Sequence, residues 1–236
     1  MGTRATKLEF ETAHDLLVSL GNIPPWRVWM HPAPGTARVR DVTRVLDRYN
    51  LQVELVDRVL VEKAISIQGG FVAMKVAFLL YNWNDRAGDR GMITGAGGTF
   101  RLLKQVVRIP SVAFTNWDRL PGRHVPSEPV PDLAPDLAVE VLSEGNTRAE
   151  MERKLKEYFL SEVQLVWYID PRTRTVRAYT SPDDVTELGE ADTLDGGAVL
   201  PVFSAPVVRL FDHLAPAAKS AKPPKASGGK KPKKQK

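Results

Sequence analysis

The segment "PDLAPDLAVEVLSEGNTRAEMERKLKEYF", residues 131–159, limits what this chain can fold into more than any other. Its run of Leu137, Ala138, Val139, Val141 and Leu142 is apolar enough to cross the middle of a buried sheet, yet Glu140 sits inside it. Burying an unpaired carboxylate costs several kcal/mol or forces it to protonate. The strand therefore needs a partner for that charge. In an extended chain residues 138, 140 and 142 share a face, so Glu140 points toward one covering layer.

The next element is a helix marked by a capping box, Thr147 with Glu150, and by a stripe of Met151, Leu155, Tyr158 and Phe159. At 100° per residue Lys154 falls beside Tyr158 on the edge of that stripe, within reach of Glu140, whereas Arg153 and Lys156 point away. The readings of Glu140 stand open: a structural ion pair with Lys154 or a place at the fraying end of its strand, or part of a site in which carboxylates hold a divalent cation and lysine stabilises charge during phosphodiester cleavage.

The rest of the chain reads as alternating strands and helices. "TAHDLLVSLGN" is a short helix with Thr12 as cap and Gly21 as stop, and "DVTRVLDRYN" is another. "LQVELVDRVLVEKAIS" reads as a hairpin turning at Asp57-Arg58. "IQGGFVAMKVAFLLYNWND" places Phe71, Met74, Phe78 and Tyr81 at helical spacing, a stripe expected to pack in the core. "GMITGAGGTFRLL" and "QVVRIPSVAF" read as two strands. "TGAGGTF" lacks the Gly-Lys-Ser/Thr ending of a phosphate loop and is expected to be a hairpin turn. "VQLVWYID", "TVRAYTS" and "VLPVFSAPVVRLF" complete the strand set. The order fits a mixed sheet with a helix on each face, in which "LAVEVLS" and "LVWYI" are covered on both sides.

Composition narrows the chemistry. Cysteine is absent, which excludes disulfides, thiolate zinc sites and a cysteine nucleophile. The four histidines, His14, His31, His124 and His213, are scattered, so any metal would rest on carboxylates, as Mg²⁺ or Mn²⁺ does. The net charge is +5, but residues 216–236 hold eight of the 33 Lys and Arg and no acid, leaving the rest with 25 basic against 28 acidic residues, a net of −3. This Lys/Pro-rich tail is expected to be disordered, with Lys230, Lys231, Lys233 and Lys234 available to phosphates; a solubilising tail is the equal alternative. No stretch is long and apolar enough for a membrane span, so a cytoplasmic protein is expected.

"PDLAVEVLSEGNTRAEMERKLKEYFLSEVQLVWYIDPRTRTVRAY", with the later "LDGGAVLPVF", resembles the signature of the Uma-two family, described as restriction endonucleases of the PD-(D/E)XK nuclease superfamily. The resemblance is strong from about residue 108 to 211 and recognisable at "VELVDRVLVE", where Arg58 stands in place of a glycine. It implies an α/β fold with a restriction-endonuclease-like core: a mixed β-sheet flanked by helices over residues 51–215, a helical and irregular extension at 1–50, and the tail at 216–236. It implies catalytic roles for Glu54, Glu140 and Lys154, with Glu140 and Glu54 as metal ligands. It also implies Mg²⁺ or Mn²⁺ as cofactor, DNA as partner, and a homodimer that cuts both strands.

One position departs from the family pattern. Pro110 is present in "RIPSVAF", but Ser111 stands where the central metal-binding aspartate belongs. A neutral hydroxyl binds Mg²⁺ far more weakly than a carboxylate does. Asp118, Asp132 and Asp136 follow on the connector, but Asp136 lies four residues before Glu140 on extended chain, about 13 Å away. The expected function is thus a metal-dependent DNA endonuclease impaired at Ser111, or a catalytically inactive nuclease-fold protein that binds nucleic acid or regulates.

Overall fold

A computed structural model describes residues 10–214. Helix α1 (Ala13–Ser19) opens on a reciprocal Thr12–Asp15 capping box and is followed by Gly21 at φ +84°, a left-handed stop. After β1 (Val28–Trp29), α2 (Val39–Tyr49) ends on Asn50, also left-handed. The hairpin β2 (Val53–Val56) and β3 (Val59–Glu62) turns at Asp57 and Arg58, both at positive φ, as a two-residue hairpin turn requires.

Helix α3 (Ile67–Arg86) is capped by the Ser66 hydroxyl. Then come β4 (Gly91–Gly95), β5 (Phe100–Leu103), β6 (Val106–Arg108), β7 (Val112–Asn116), β8 (Leu137–Val141) and α4 (Arg148–Leu160). The chain continues through β9 (Leu165–Asp170), β10 (Thr175–Tyr179), β11 (Val185–Leu188), β12 (Thr193–Gly196), β13 (Leu200–Pro206) and α5 (Val208–Phe211).

The central sheet has six strands in the order β11-β10-β9-β8-β7-β4. Its β8–β9 pair is parallel, with α4 as the crossover between them. The alternation of β8 sorts its side chains cleanly. Leu137, Val139 and Val141 join the cluster formed with Val72, Val76, Leu80 and Trp83 of α3. Ala138 faces Met151, Leu155 and Tyr158 of α4. The expected sandwich of a strand buried between two helices is therefore present, and the fold is a mixed α/β arrangement with helices flanking sheets.

A second sheet, of five strands in the order β1-β3-β2-β6-β5, packs with α2 around Val42, Val45, Leu55, Leu60 and Val107. It carries the Glu54 hairpin to the α4 side of the central sheet. A separate ribbon pairs β12 with β13.

Two expectations are corrected. The Phe71, Met74, Phe78, Tyr81 stripe does not pack in the core: all four are exposed, and the buried face of α3 is Val72, Ala73, Val76, Leu80 and Trp83. Both faces carry apolar residues at helical spacing, so periodicity alone cannot choose between them. The glycine-rich segment does not close a hairpin either. Strand β4 pairs with β7 in one sheet and β5 with β6 in the other, so residues 96–99 carry the chain between sheets.

Candidate functional site

Glu54 enters from the middle of β2, Glu140 from β8 and Lys154 from the buried side of α4, and all three are almost wholly buried. Lys154 Nζ lies 3.0 Å from Glu54 Oε1 and 3.0 Å from Glu140 Oε1, so one ammonium closes on both carboxylates. The three residues named from sequence therefore meet at one point.

The remaining carboxylate valences are filled by groups that sequence reasoning did not single out. Arg108, the last residue of β6, donates to Glu54 Oε2 at 2.7 Å, and the Ile109 N–H donates to Glu54 Oε1 at 3.0 Å. Tyr158 donates its hydroxyl to Glu140 Oε1 at 2.7 Å. Lys63 Nζ stands 3.8 Å from Glu140 Oε2 and donates to the Ile109 carbonyl. On its far side Arg108 pairs with Glu157 at 2.5 Å, and Glu157 also accepts from Arg153 at 2.8 Å. Among the fully buried members, Glu54, Glu140 and Glu157 thus face Lys63, Arg108 and Lys154, three charges against three, with the half-buried Arg153 at the edge, shared with Asp57.

The electrostatics follow from that balance. Burial alone would raise the Glu54 carboxyl, but Lys154, Arg108, Lys63 and the Ile109 N–H together hold it well below the usual carboxylate range. Burial opposes the charge on Lys154, yet Glu140 and Glu54 raise its affinity for a proton above the ordinary value. Lys63 goes the other way: burial lowers it, and the neighbouring Lys154 adds to that despite the pull of Glu140. Burial and the Glu140 carboxylate both push the Tyr158 hydroxyl well up, so it stays a donor.

Signals for the missed members existed. Arg108 interrupts "QVVRIP" as Glu140 interrupts "LAVEVL", a charge inside an apolar strand that calls for a buried partner. Lys63 follows directly on the hairpin strand in "VLVEKA". Tyr158 is read from sequence only as a packing residue, whereas its hydroxyl also holds Glu140.

Ser111 is buried immediately before β7. Its Oγ accepts the Val141 N–H at 3.1 Å, and its own N–H donates to the Val139 carbonyl at 2.8 Å. The Ser111 hydroxyl, at the position where the resemblance leads one to expect an aspartate, is engaged with the backbone of β8. No connector acid replaces it. Asp136 is held by the Asn116 N–H, Arg119 and Gln164, Asp132 pairs with Arg101, and Asp118 is exposed.

A divalent ion of the Mg²⁺ kind takes about six oxygen ligands, with carboxylates supplying the charge. Glu54 and Glu140 are already closed on Lys154, and among the described residues no three His, Cys, Asp or Glu side chains are grouped to hold a metal. The residues present do not fit the ion. The tail lysines Lys230, Lys231, Lys233 and Lys234 lie outside the described residues. Among those described, no helix is long and apolar enough to cross a membrane.

The fold that presents the site is a six-stranded mixed sheet flanked by helices, with a strand glutamate and a helix lysine facing each other. A crystal structure of a "putative nuclease belonging to DUF820" from Anabaena variabilis ATCC 29413 shares it, with a TM-score of 0.61 over 72% of this chain and 96% of that one at 13% identity. The Uma2 family model, described as "Putative restriction endonuclease", matches residues 41–208, and the chain belongs to that family. No curated protein matches it.

Proposed function

We propose that this chain is a nuclease-fold protein that binds DNA without cleaving it, its buried site serving as a charge-balanced internal clamp. The observation that carries this reading is the single ammonium of Lys154 closing on both Glu54 and Glu140; the family resemblance, which would put a third acid where Ser111 stands, points the same way. A carboxylate pair that shares the Lys154 ammonium and is backed by Arg108 and Lys63 has little charge left to offer a metal, and the cluster is shut from the solvent through which a phosphodiester would approach. DNA affinity would come from the eight tail lysines of residues 216–236, through counterion release. In this reading the folded body is residues 51–215 with its 1–50 extension, and the protein acts in the cytoplasm.

A second reading, a Mg²⁺- or Mn²⁺-dependent DNA endonuclease working through Glu54, Glu140 and Lys154, is favoured by one feature. Glu140 Oε2 is faced by Lys63 at 3.8 Å, beyond hydrogen-bond length, so one carboxylate oxygen is loosely held. The deciding experiment incubates supercoiled plasmid and single-stranded DNA with Mg²⁺ or Mn²⁺ and the wild type, Glu140→Ala or Ser111→Asp, beside a binding titration over a range of salt. The first reading expects salt-dependent binding by all three and nicking by Ser111→Asp alone. Wild-type cleavage that Glu140→Ala abolishes would establish the second instead.

A further inference from the structure

The outer face of α3 carries Ile67, Phe71, Met74, Phe78 and Tyr81, spaced four, three, four and three residues apart. That is the 3.5-residue repeat of a two-helix seam rather than a scatter of surface apolar residues. Their exposures are 91, 39, 69, 61 and 65% in that order. For side chains of this size that leaves on the order of 700 Å² per copy, against about 800 Å² per partner in a standard interface. The opposite face of the same helix is already committed to the central sheet through Val72, Val76, Leu80 and Trp83. A helix that is apolar on both sides belongs between two layers, and among the described residues no second layer covers this face.

We propose that this face is the seam through which two copies of the chain pair, α3 against α3. The chain's own remaining segments do not suit it: residues 1–9 carry only Met1 and Leu8 as large apolar residues, and 215–236 carry none. The stripe is instead complementary to itself. An antiparallel pairing about a two-fold axis at Met74 sets Ile67 opposite Tyr81 and brings Phe71 to within one position of opposite Phe78, the closed symmetry that homodimers favour. Lys75, the cation beside the stripe, lies over the Phe71 ring at 5.1 Å and is partnered by Asp212 at 3.8 Å and the Arg209 carbonyl at 3.0 Å, so the charge at the seam's edge is already compensated within one copy. The seam lies on the face of the central sheet opposite α4, so pairing leaves the Glu140 cluster untouched whether or not that cluster cleaves DNA.

The test is the mass of the full-length chain in solution, by sedimentation or light scattering at micromolar concentration, for the wild type and Met74→Glu. The wild type should run at twice the chain mass, and Met74→Glu should run at the chain mass with an unchanged circular dichroism spectrum, since the side chain is exposed. Because the chain has no cysteine, Met74→Cys adds a single thiol, which should give a disulfide-linked dimer under mild oxidation. A monomeric wild type, a dimer that survives Met74→Glu, or an uncross-linked Met74→Cys would each overturn the proposal, as would occupation of the face by a different protein.

Discussion

Lys154 of α4 and Glu54 of β2 are 100 residues apart in sequence and 3.0 Å apart in the fold, and both are buried. The contact ties the helix over the central sheet to the hairpin of the second sheet. Because Glu140 shares the same ammonium, three elements converge on one proton-bearing nitrogen.

Removing that nitrogen should be costly. Lys154→Met fills similar space but leaves Glu54 and Glu140 facing each other without their common cation, a loss of ~3–5 kcal/mol for a broken buried pair. The double variant Lys154→Met/Glu54→Gln should recover part of it, because one of the stranded charges is gone. Urea titrations of the two singles and the double measure the coupling directly. Additive losses would show that the two groups do not act on each other.

Acid should find the same cluster. The Glu54 carboxyl is held well below its ordinary value of 4.5, so its contribution is fully present above that pH and is lost as pH falls below it. Glu150, also held low against burial by Arg27, adds in the same direction. Lys63 is lowered from 10.5, so between its folded value and 10.5 the unfolded chain binds more protons and stability rises with pH. Melting temperature should therefore drop steeply below pH 4.5, and Glu54→Gln should start lower and fall less steeply. Parallel curves for the two proteins would remove Glu54 from the account.

The hairpin turn carries a local fault that can be repaired. Arg58 sits at φ +64°, where an L side chain is strained, and its buried Nε finds no hydrogen-bond partner. Asp-Gly is the preferred pair for such a turn. Arg58→Gly should raise stability by ~1 kcal/mol, read as a higher urea midpoint at unchanged slope. A lower midpoint would mean that the arginine stem is packing better than its backbone is strained.

How much of this was legible in the sequence depends on the kind of signal. The β8–α4–β9 unit is legible because its apolar runs, the Thr147–Glu150 capping box and the helix stripe are all local patterns that agree. The meeting of Glu54, Glu140 and Lys154 comes from the family resemblance for Glu54 and from helix geometry for Lys154. Arg108 and Lys63 were not found because their partners are distant: Arg108 lies 54 residues from Glu54 and 49 from Glu157. Strand periodicity says which face a residue takes, not what another sheet brings to it. The covered face of α3 is not legible for the complementary reason: two apolar stripes on one helix have equal periodicity, and only tertiary contacts decide which is covered.

Gly21 and Arg27 hold α4 in register. Gly21 stands at φ +84°, and a Cβ there would lie 2.5 Å from Glu150 N and 2.8 Å from Glu150 Cα, backbone that cannot rotate away. Its carbonyl accepts the Thr147 hydroxyl at the helix cap, and Arg27 grips Glu150 through two hydrogen bonds of 2.9 and 2.7 Å. The first turn of α4 is thus clamped from the N-terminal side, one turn before Lys154. Gly21→Ala should cost ~2–5 kcal/mol, combining left-handed strain with the forced shift of α4. Gly70→Ala is the matched control: a Cβ there meets nothing within 4 Å, and a helical alanine should stabilise by ~0.5–1 kcal/mol. Chemical denaturation of the two variants beside the wild type should move in opposite directions, and a Gly21→Ala protein as stable as wild type would show that α1 does not set the position of α4.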